Sequence, residues 1–269
     1  MFKTALIISV YNRMDYLKLV LAGFENQTEK NFEVVIADDG SNKEFVDELD
    51  KIALNYSFSI SHVWHEDKGF RKNKILNEAI ASTQSNYLIF IDGDCIPHSH
   101  FVEEHIKYAS KGICLTGRRV NLSEKITLSL TEDKVKNGWL EKNFYKVVKD
   151  GLLGESNYVE KGFYFKSNFF RRAFNKKQRG LLGCNFSLFK DDMLLINGFD
   201  ERYQEPSIGE DTDVQFRLEL KGLKIKSLNH IAVQYHLYHQ LQERKKTNIE
   251  LFDQVRKNKI AYTPFGINK

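Results

Sequence analysis

Short apolar runs alternate with longer segments of helical spacing through the first hundred residues. Ala5–Val10 is an uninterrupted apolar stretch apart from Ser9, and it stops at Tyr11-Asn12-Arg13. Asp15–Asn26 follows, with Leu17, Leu21 and Phe24 at helical spacing, and Phe32–Ala37 is the next strand, ending in Asp38-Asp39-Gly40-Ser41. Lys43–Asn55 carries Phe45, Val46, Leu49, Ile52 and Ala53 on one helical face, and Ile60–Trp64 reads as a third strand. Ile75–Ala81 is a helix, and Tyr87–Ile91 is a buried strand ending in Asp92-Gly93-Asp94. Strands and helices in this order predict an α/β fold, with βαβ units around a mostly parallel sheet. In such sheets ligands bind beyond the carboxyl ends of the strands. Three strands here end in polar or acidic residues, at Asn12-Arg13, Asp38-Asp39 and Asp92-Asp94.

From Leu122 to Gly180 no period is evident. Lys161–Gly180 holds seven basic residues (Lys161, Lys166, Arg171, Arg172, Lys176, Lys177 and Arg179) and no acidic one, interleaved with six aromatic residues. The pattern then resumes with a run at Cys184–Phe189, a turn at Asn197-Gly198, and Gly209-Glu210-Asp211-Thr212-Asp213 opening a helix to Lys221. A strand near Ala232–Tyr235 ends in His236-Leu237-Tyr238-His239, and a charged helical tail runs from Gln240 to Lys259. With no repeat and no low-complexity linker, one domain over residues 1–239 is expected, followed by a helical tail over 240–269.

Composition narrows the partners. The 269 residues are 42% hydrophobic and 28% charged, with 40 Lys plus Arg against 36 Asp plus Glu, so a basic partner surface has to be local. Wholesale nucleic-acid binding is not indicated. The three cysteines, Cys95, Cys114 and Cys184, form no disulfide framework and no paired zinc motif, as expected of a reducing cytoplasm. No run approaches the roughly 20 apolar residues of a membrane-spanning helix. The apolar stretch at Thr4–Val10 is too short for the core of a signal peptide.

Candidate chemistry sits at the strand ends. Alternation along a strand places Asp92 and Asp94 on one side, a pair that would suit Mg²⁺ or Mn²⁺, although Asp and Gly also favour ordinary turns. Asp39 could accept from a ribose hydroxyl or a base N–H, or close an Asx turn. Glu210 and Asp211 precede a helix, where acids commonly cap. His236 and His239, three residues apart after a strand, are a modest metal signal.

Taken in order, Ile7-Ile8-Ser9-Val10-Tyr11-Asn12-Arg13, Asp38-Asp39-Gly40-Ser41, Asp67-Lys68-Gly69-Phe70-Arg71-Lys72, Asp92-Gly93-Asp94-Cys95-Ile96-Pro97, Gly183-Cys184-Asn185-Phe186-Ser187, Asn197-Gly198-Phe199-Asp200, Gly209-Glu210-Asp211 and His236-Leu237-Tyr238-His239 resemble a family 2 nucleotide-sugar glycosyltransferase of the GT-A fold. The C-terminal half is similar to the galactosyltransferase-type segment of bacterial chondroitin-polymerase-like enzymes. The resemblance spans residues 4 to 240. It implies a nucleotide-sugar-binding half (1–120) and an acceptor-binding and catalytic half (121–239).

The same resemblance assigns roles. Asp39 would contact the uracil or ribose of a UDP-sugar, and Val10, Tyr11, Asn12 and Arg13 would line the nucleoside pocket beside Gly93. Asp94, helped by Asp92, would hold Mn²⁺ or Mg²⁺, with His236 the favoured further ligand and His239 the alternative. Asp211 would be the general base, Glu210 would bind the acceptor or place that base, and Arg71 and Lys72 would meet the phosphates or the pocket wall. The implied reaction is inverting transfer to a hydroxyl of a surface glycan (lipopolysaccharide, capsule or exopolysaccharide), free or lipid-linked, in the cytoplasm or at the inner face of the plasma membrane. The basic aromatic stretch would then face an anionic acceptor or an anionic membrane. A sugar nucleotidyltransferase would show a glycine-rich phosphate loop, which Ile7–Asp15 lacks. An inactive glycan-binding module would have no need of Asp94 and Asp211. The sequence departs from the family at Ser207-Ile208-Gly209, where Trp-Gly is common before the acidic pair, and at Leu76-Asn77, where Arg-Asn is common.

Overall fold

The computed structural model describes residues 3–175, 180–206, 209–240 and 247–268. Lys176, Lys177 and Arg179 of the basic stretch, Ser207 and Ile208 before the acidic pair, and residues 241–246 of the tail lie outside them.

Its backbone is a seven-stranded sheet built from β1 (Thr4–Val10), β2 (Glu33–Asp38), β3 (Ile60–Trp64), β4 (Tyr87–Asp92), β6 (Ile113–Thr116), β8 (Asn185–Phe189) and β9 (Lys224–Ser227). Three short strands, β5 (Cys95–Pro97), β7 (Arg118–Asn121) and β10 (Val233–His236), make a second sheet in the order β5-β10-β7. The large sheet runs β3-β2-β1-β4-β8-β6-β9; its first four strands are parallel, and β8 is antiparallel to both neighbours. The mostly parallel α/β sheet expected from the sequence is therefore present.

Both faces of this sheet are buried. Leu6, Ile8, Val34, Ile36, Ile89 and Ile91 join one core cluster, under the helix Met14–Glu25. The alternate residues Ala5, Ile7, Val35, Ala37, Leu88 and Phe90 join the other, under the helices Lys72–Ser82 and Asp211–Leu220. That double burial explains why β1, β2 and β4 read as continuous apolar runs rather than alternating ones. Between residues 122 and 180 the chain forms helices of only four to nine residues, Glu124–Ser129, Glu132–Lys136, Trp139–Lys142, Phe144–Leu152 and Asn168–Phe174, too short for a helical period to accumulate. No helix among the described residues is long and apolar enough to cross a membrane.

Two residues of the basic stretch, Arg171 and Lys161, are paired within the protein. Arg171 is buried, and its guanidinium forks onto the Glu104 carboxylate while a further N–H meets the Tyr164 hydroxyl at 3.0 Å. A charge that Glu104 neutralises inside the protein is not available to an anionic partner. Lys161 is likewise matched, 3.0 Å from Glu160.

The second half is stitched to the first by polar groups inside the core. His105, from the helix Phe101–Tyr108, is fully buried against β8, with Nδ1 2.7 Å from Ser187 Oγ and Nε2 3.2 Å from Asn185 Oδ1. The Asn185 amide donates to the carbonyls of Arg118 and Ala232, so its Oδ1 must accept and His105 is the neutral tautomer protonated at Nε2. Burial pushes the His105 pKa down to about 3. An imidazole neutral in the fold but protonated when unfolded gives the unfolded state the extra proton below pH ~6.5. Stability should consequently fall from pH 6.5 to 4, with His105 accounting for about 3 kcal/mol of that loss. Urea titrations across this range, compared with the same series on His105→Gln, check the assignment: the variant is less stable at pH 7 but has the shallower acid limb.

Candidate active site

The carboxyl ends of β1 and β2 form a polar shelf. The Val10 carbonyl accepts the Asp39 N–H at 3.0 Å, tying the two strand ends together. Asn12 takes a left-handed conformation (φ 51°), which lets its N–H reach Ser41 Oγ and its Oδ1 receive the Asn42 N–H, both at 2.8 Å. Asp38 closes the turn by accepting the Ser41 N–H at 2.8 Å and faces His62 at 2.9 Å. Asp39 is engaged on both oxygens, by His65 Nε2 at 2.8 Å and by the Arg71 N–H at 2.9 Å. Burial outweighs these partners and lifts the Asp39 carboxyl above its usual value. Tyr11 is half exposed and donates to Asp67 at 2.9 Å. The Arg13 guanidinium binds Asp15 and lies 3.5 Å over the Tyr16 ring, while that of Arg71 donates to the Glu66 carbonyl.

At the end of β4 the two aspartates part company. The strand stops at Asp92, and Gly93 and Asp94 turn, so alternation does not carry through to Asp94 and the two carboxylates join different clusters. Gly93 is confined by its neighbours: a Cβ there would lie 2.7 Å from Val10 Cγ1 and 3.1 Å from the Ser9 carbonyl. Asp92 accepts from Ser9 Oγ at 2.7 Å and from Lys72 Nζ at 2.8 Å, and the same ammonium lies 2.8 Å from Glu210. Burial opposes the charge on Lys72, yet Asp92 and Glu210 raise its pKa well above the usual value. Burial, with Asp92 and Asp211 nearby, lifts the Glu210 carboxyl against the pull of Lys72.

Neither acid of the pair caps the helix it opens. Glu210 turns to Lys72, and a Cβ on Gly183 would come within 2.4 Å of its carboxylate. Asp211 accepts the Gly183 N–H at 3.2 Å on Oδ2 and the Thr212 hydroxyl at 3.1 Å on Oδ1. Asp213, on the same helix, is fully buried and held by Arg217 at 2.7 Å and the Tyr203 hydroxyl at 3.1 Å.

The small sheet assembles the second cluster. β10 runs antiparallel to β5 with His236 opposite Cys95, and the Leu237 N–H donates to the Asp94 carbonyl at 2.8 Å. This register brings His236 Nε2 to 3.4 Å and His239 Nε2 to 3.2 Å from Asp94 Oδ2, with the two nitrogens 3.2 Å apart. His239 Nδ1 is 2.9 Å from the Gln240 carbonyl; donating its proton there leaves the Nε2 lone pair facing the cluster. Burial works against ionisation of Asp94, but His236 and His239 hold its carboxyl well below the ordinary range. Cys95 Sγ donates to Asp94 Oδ1 at 3.2 Å, and ligand atoms of Asp94, Cys95 and His236 all lie within 4.8 Å of one another.

Two groupings therefore emerge: Asp94 with His236 and His239, and Asp92 with Lys72, Glu210 and Asp211. Ser9, His62, His65 and Cys95 entered neither the pattern nor the motif reading as site residues. For His65 a weak signal existed, since it follows the strand Ile60–Trp64 as Asp39 follows β2.

Comparison with known proteins bears on the family and the fold. Residues 5–177 match glycosyl transferase family 2, and residues 165–240 match the N-terminal domain of galactosyltransferase. Chondroitin synthase of Escherichia coli is 25% identical over 238 residues, covering 86% of this chain and 34% of that protein, so the chain spans about a third of its length. The putative glycosyltransferase EpsH of Bacillus subtilis is 24% identical over 198 residues, 63% of this chain and 56% of that protein. Among solved structures, GalNAc-T7 with UDP, GalNAc and Mn²⁺ superposes with a TM-score of 0.66 at 13% identity, over 95% of this chain and 48% of that one. A mannosyltransferase from Pyrobaculum calidifontis, PcManGT, in complex with GDP-Man and Mn²⁺ gives 0.57 at 14% identity, over 88% and 57%. These likenesses establish the GT-A fold, and the match over most of the chain makes this protein a glycosyltransferase that belongs to family 2.

Proposed function

We propose that the chain moves a sugar from a nucleotide diphosphate, a UDP-sugar, to a hydroxyl of a surface glycan with inversion, in a reaction that depends on a divalent cation. The observation that carries this reading is the joining, beyond the end of β4, of Asp94 to His236 and His239, with Asp92 linked through Lys72 to the acidic pair that opens the helix Asp211–Leu220. A carboxylate and two imidazole nitrogens 3.2 to 3.4 Å apart suit adjacent positions around one ion, whose ligands at about 2.1 Å lie about 3 Å from one another. Magnesium is bound through oxygen, so with two imidazoles in the set Mn²⁺ is the better fit of the two ions. When bound, the cation offsets the negative charge that develops on the departing nucleoside diphosphate.

The protein's own groups divide the remaining work. Asp39, fixed by His65 and the Arg71 N–H, presents oxygens at the shelf where Val10 and Tyr11 would meet the nucleoside. Lys72 is committed to Asp92 and Glu210 in this state, so its role is to hold these carboxylates in register rather than to stand free for a phosphate. Asp211 takes the proton of the acceptor hydroxyl as that oxygen attacks the anomeric carbon. The Gly183 N–H orients the base, and Glu210 borders the place where the acceptor would sit. The similarity to chondroitin synthase supports a polysaccharide acceptor.

Calorimetry with UDP and Mn²⁺ tests the cation site. Asp94→Asn and His236→Ala should each weaken UDP binding at least about tenfold, as chelation of the metal does in the wild type. Affinity unchanged by EDTA would remove the assignment. For the base, Asp211→Asn should keep UDP affinity within about twofold while transfer falls by ~10² to 10⁴. A panel of nucleotide sugars incubated with Mn²⁺ and read out by slow donor hydrolysis identifies the donor; hydrolysis of GDP-sugars alone would exclude uridine.

A further inference from the structure

The helix Asn168–Phe174 carries a surface that the transfer chemistry leaves unused. At about 100° per residue, Phe169, Ala173, Phe170 and Phe174 fall on one arc, with Arg171 and Arg172 beyond its two edges. Arg171 points inward, anchored to Glu104. The aromatic arc faces outward: Phe169, Phe170 and Phe174 are 75%, 49% and 52% exposed. Their rings gather around Phe165, with centroids of Phe170 and Phe174 at 5.9 and 5.2 Å from it and Phe169 at 5.5 Å from Phe170.

Cations frame these rings. Lys166 and Arg172 are exposed beside them. The Lys226 and Lys107 ammonium groups, also exposed, lie 4.9 and 6.0 Å from the Tyr108 ring, whose hydroxyl is 3.4 Å from Arg171. Glu104, the acid paired with Arg171, is buried and already neutralised. Exposed aromatic side chains grouped in this way mark an interaction surface. Rings flanked by long basic side chains match the boundary between acyl chains and anionic head groups, where the rings enter the boundary and the cations extend to the phosphates.

We infer that the face formed by Phe169, Phe170 and Phe174, with Lys166, Arg172 and Lys226 around it, lies against an anionic lipid bilayer. The inference is independent of the cation and base assignments, because membrane association can be read without any sugar donor.

Sedimentation of the full chain with vesicles tests it. With roughly 30% phosphatidylglycerol in phosphatidylcholine, the protein should sediment at low salt and be released at ~0.5 M salt, and it should not sediment with phosphatidylcholine alone. Phe169→Ser combined with Phe170→Ser should lower the bound fraction at least about fivefold, as should Arg172→Glu combined with Lys226→Glu. Circular dichroism melting of both variants confirms that they fold, and their donor hydrolysis without vesicles should equal that of the wild type. Equal binding to neutral vesicles, no binding of the wild type at low salt, or variants that sediment like the wild type would overturn the proposal. So would variants that lose transfer to a soluble oligosaccharide in the absence of vesicles, since that outcome assigns the face to the acceptor.

Discussion

Burial of the central strands on both faces leaves polar side chains few places to go. Along β1, β2 and β4, apolar residues pack alternately into the two core clusters, and a charge in mid-strand would lose its water on either side. Carboxylates are accommodated where these strands end, and each one found there has partners: Asp38 and Asp39 on histidines, Asp92 on Ser9 and Lys72. The location of the chemistry is thus a consequence of how the sheet is covered.

The groups of the second half need a different solution, since Glu210 and Asp211 come from a helix start and His236 from a strand of another sheet. Lys72 supplies it on one side, lying between Asp92 and Glu210 so that two carboxylates can approach each other without mutual repulsion deciding their positions. On the other side, the backbone register of β5 with β10 sets His236 beside Asp94. One arrangement is electrostatic and the other is a ladder of backbone hydrogen bonds, and each holds its aspartate in a separate cluster.

Much of this was legible in the sequence where the physical signal is local. β3 has the bounds its apolar run predicts, β1 and β4 are each one residue longer at one end, and β2 is shifted by one residue. Double burial produces long apolar runs, and such runs are conspicuous. What could not be read depends on partners distant in the chain. The divergence of Asp92 and Asp94 turns on where β4 stops, one residue beyond the last apolar side chain. The basic stretch shows its charge in composition, but Glu104, which neutralises Arg171, lies 67 residues earlier. The strands β6 and β7 are four residues each and carry too few positions for any period to show.

The span of the Lys72 bridge also bears on how the protein assembles. Lys72 and Glu210 are 138 residues apart in the chain. Closing a loop of that length costs entropy that must be met before the contact is made, which places the bridge among the late, slow events of folding. Chains emerge from the ribosome amino-terminus first. The sheet order β3-β2-β1-β4 uses only residues 4–92, so the polar shelf and the Ser9–Asp92 contact can form while Glu210, Asp211 and His236 are still unmade. During that interval Lys72 has Asp92 alone as its counter-charge, and the arrival of Glu210 converts a simple ion pair into the bridge that registers one half of the site against the other.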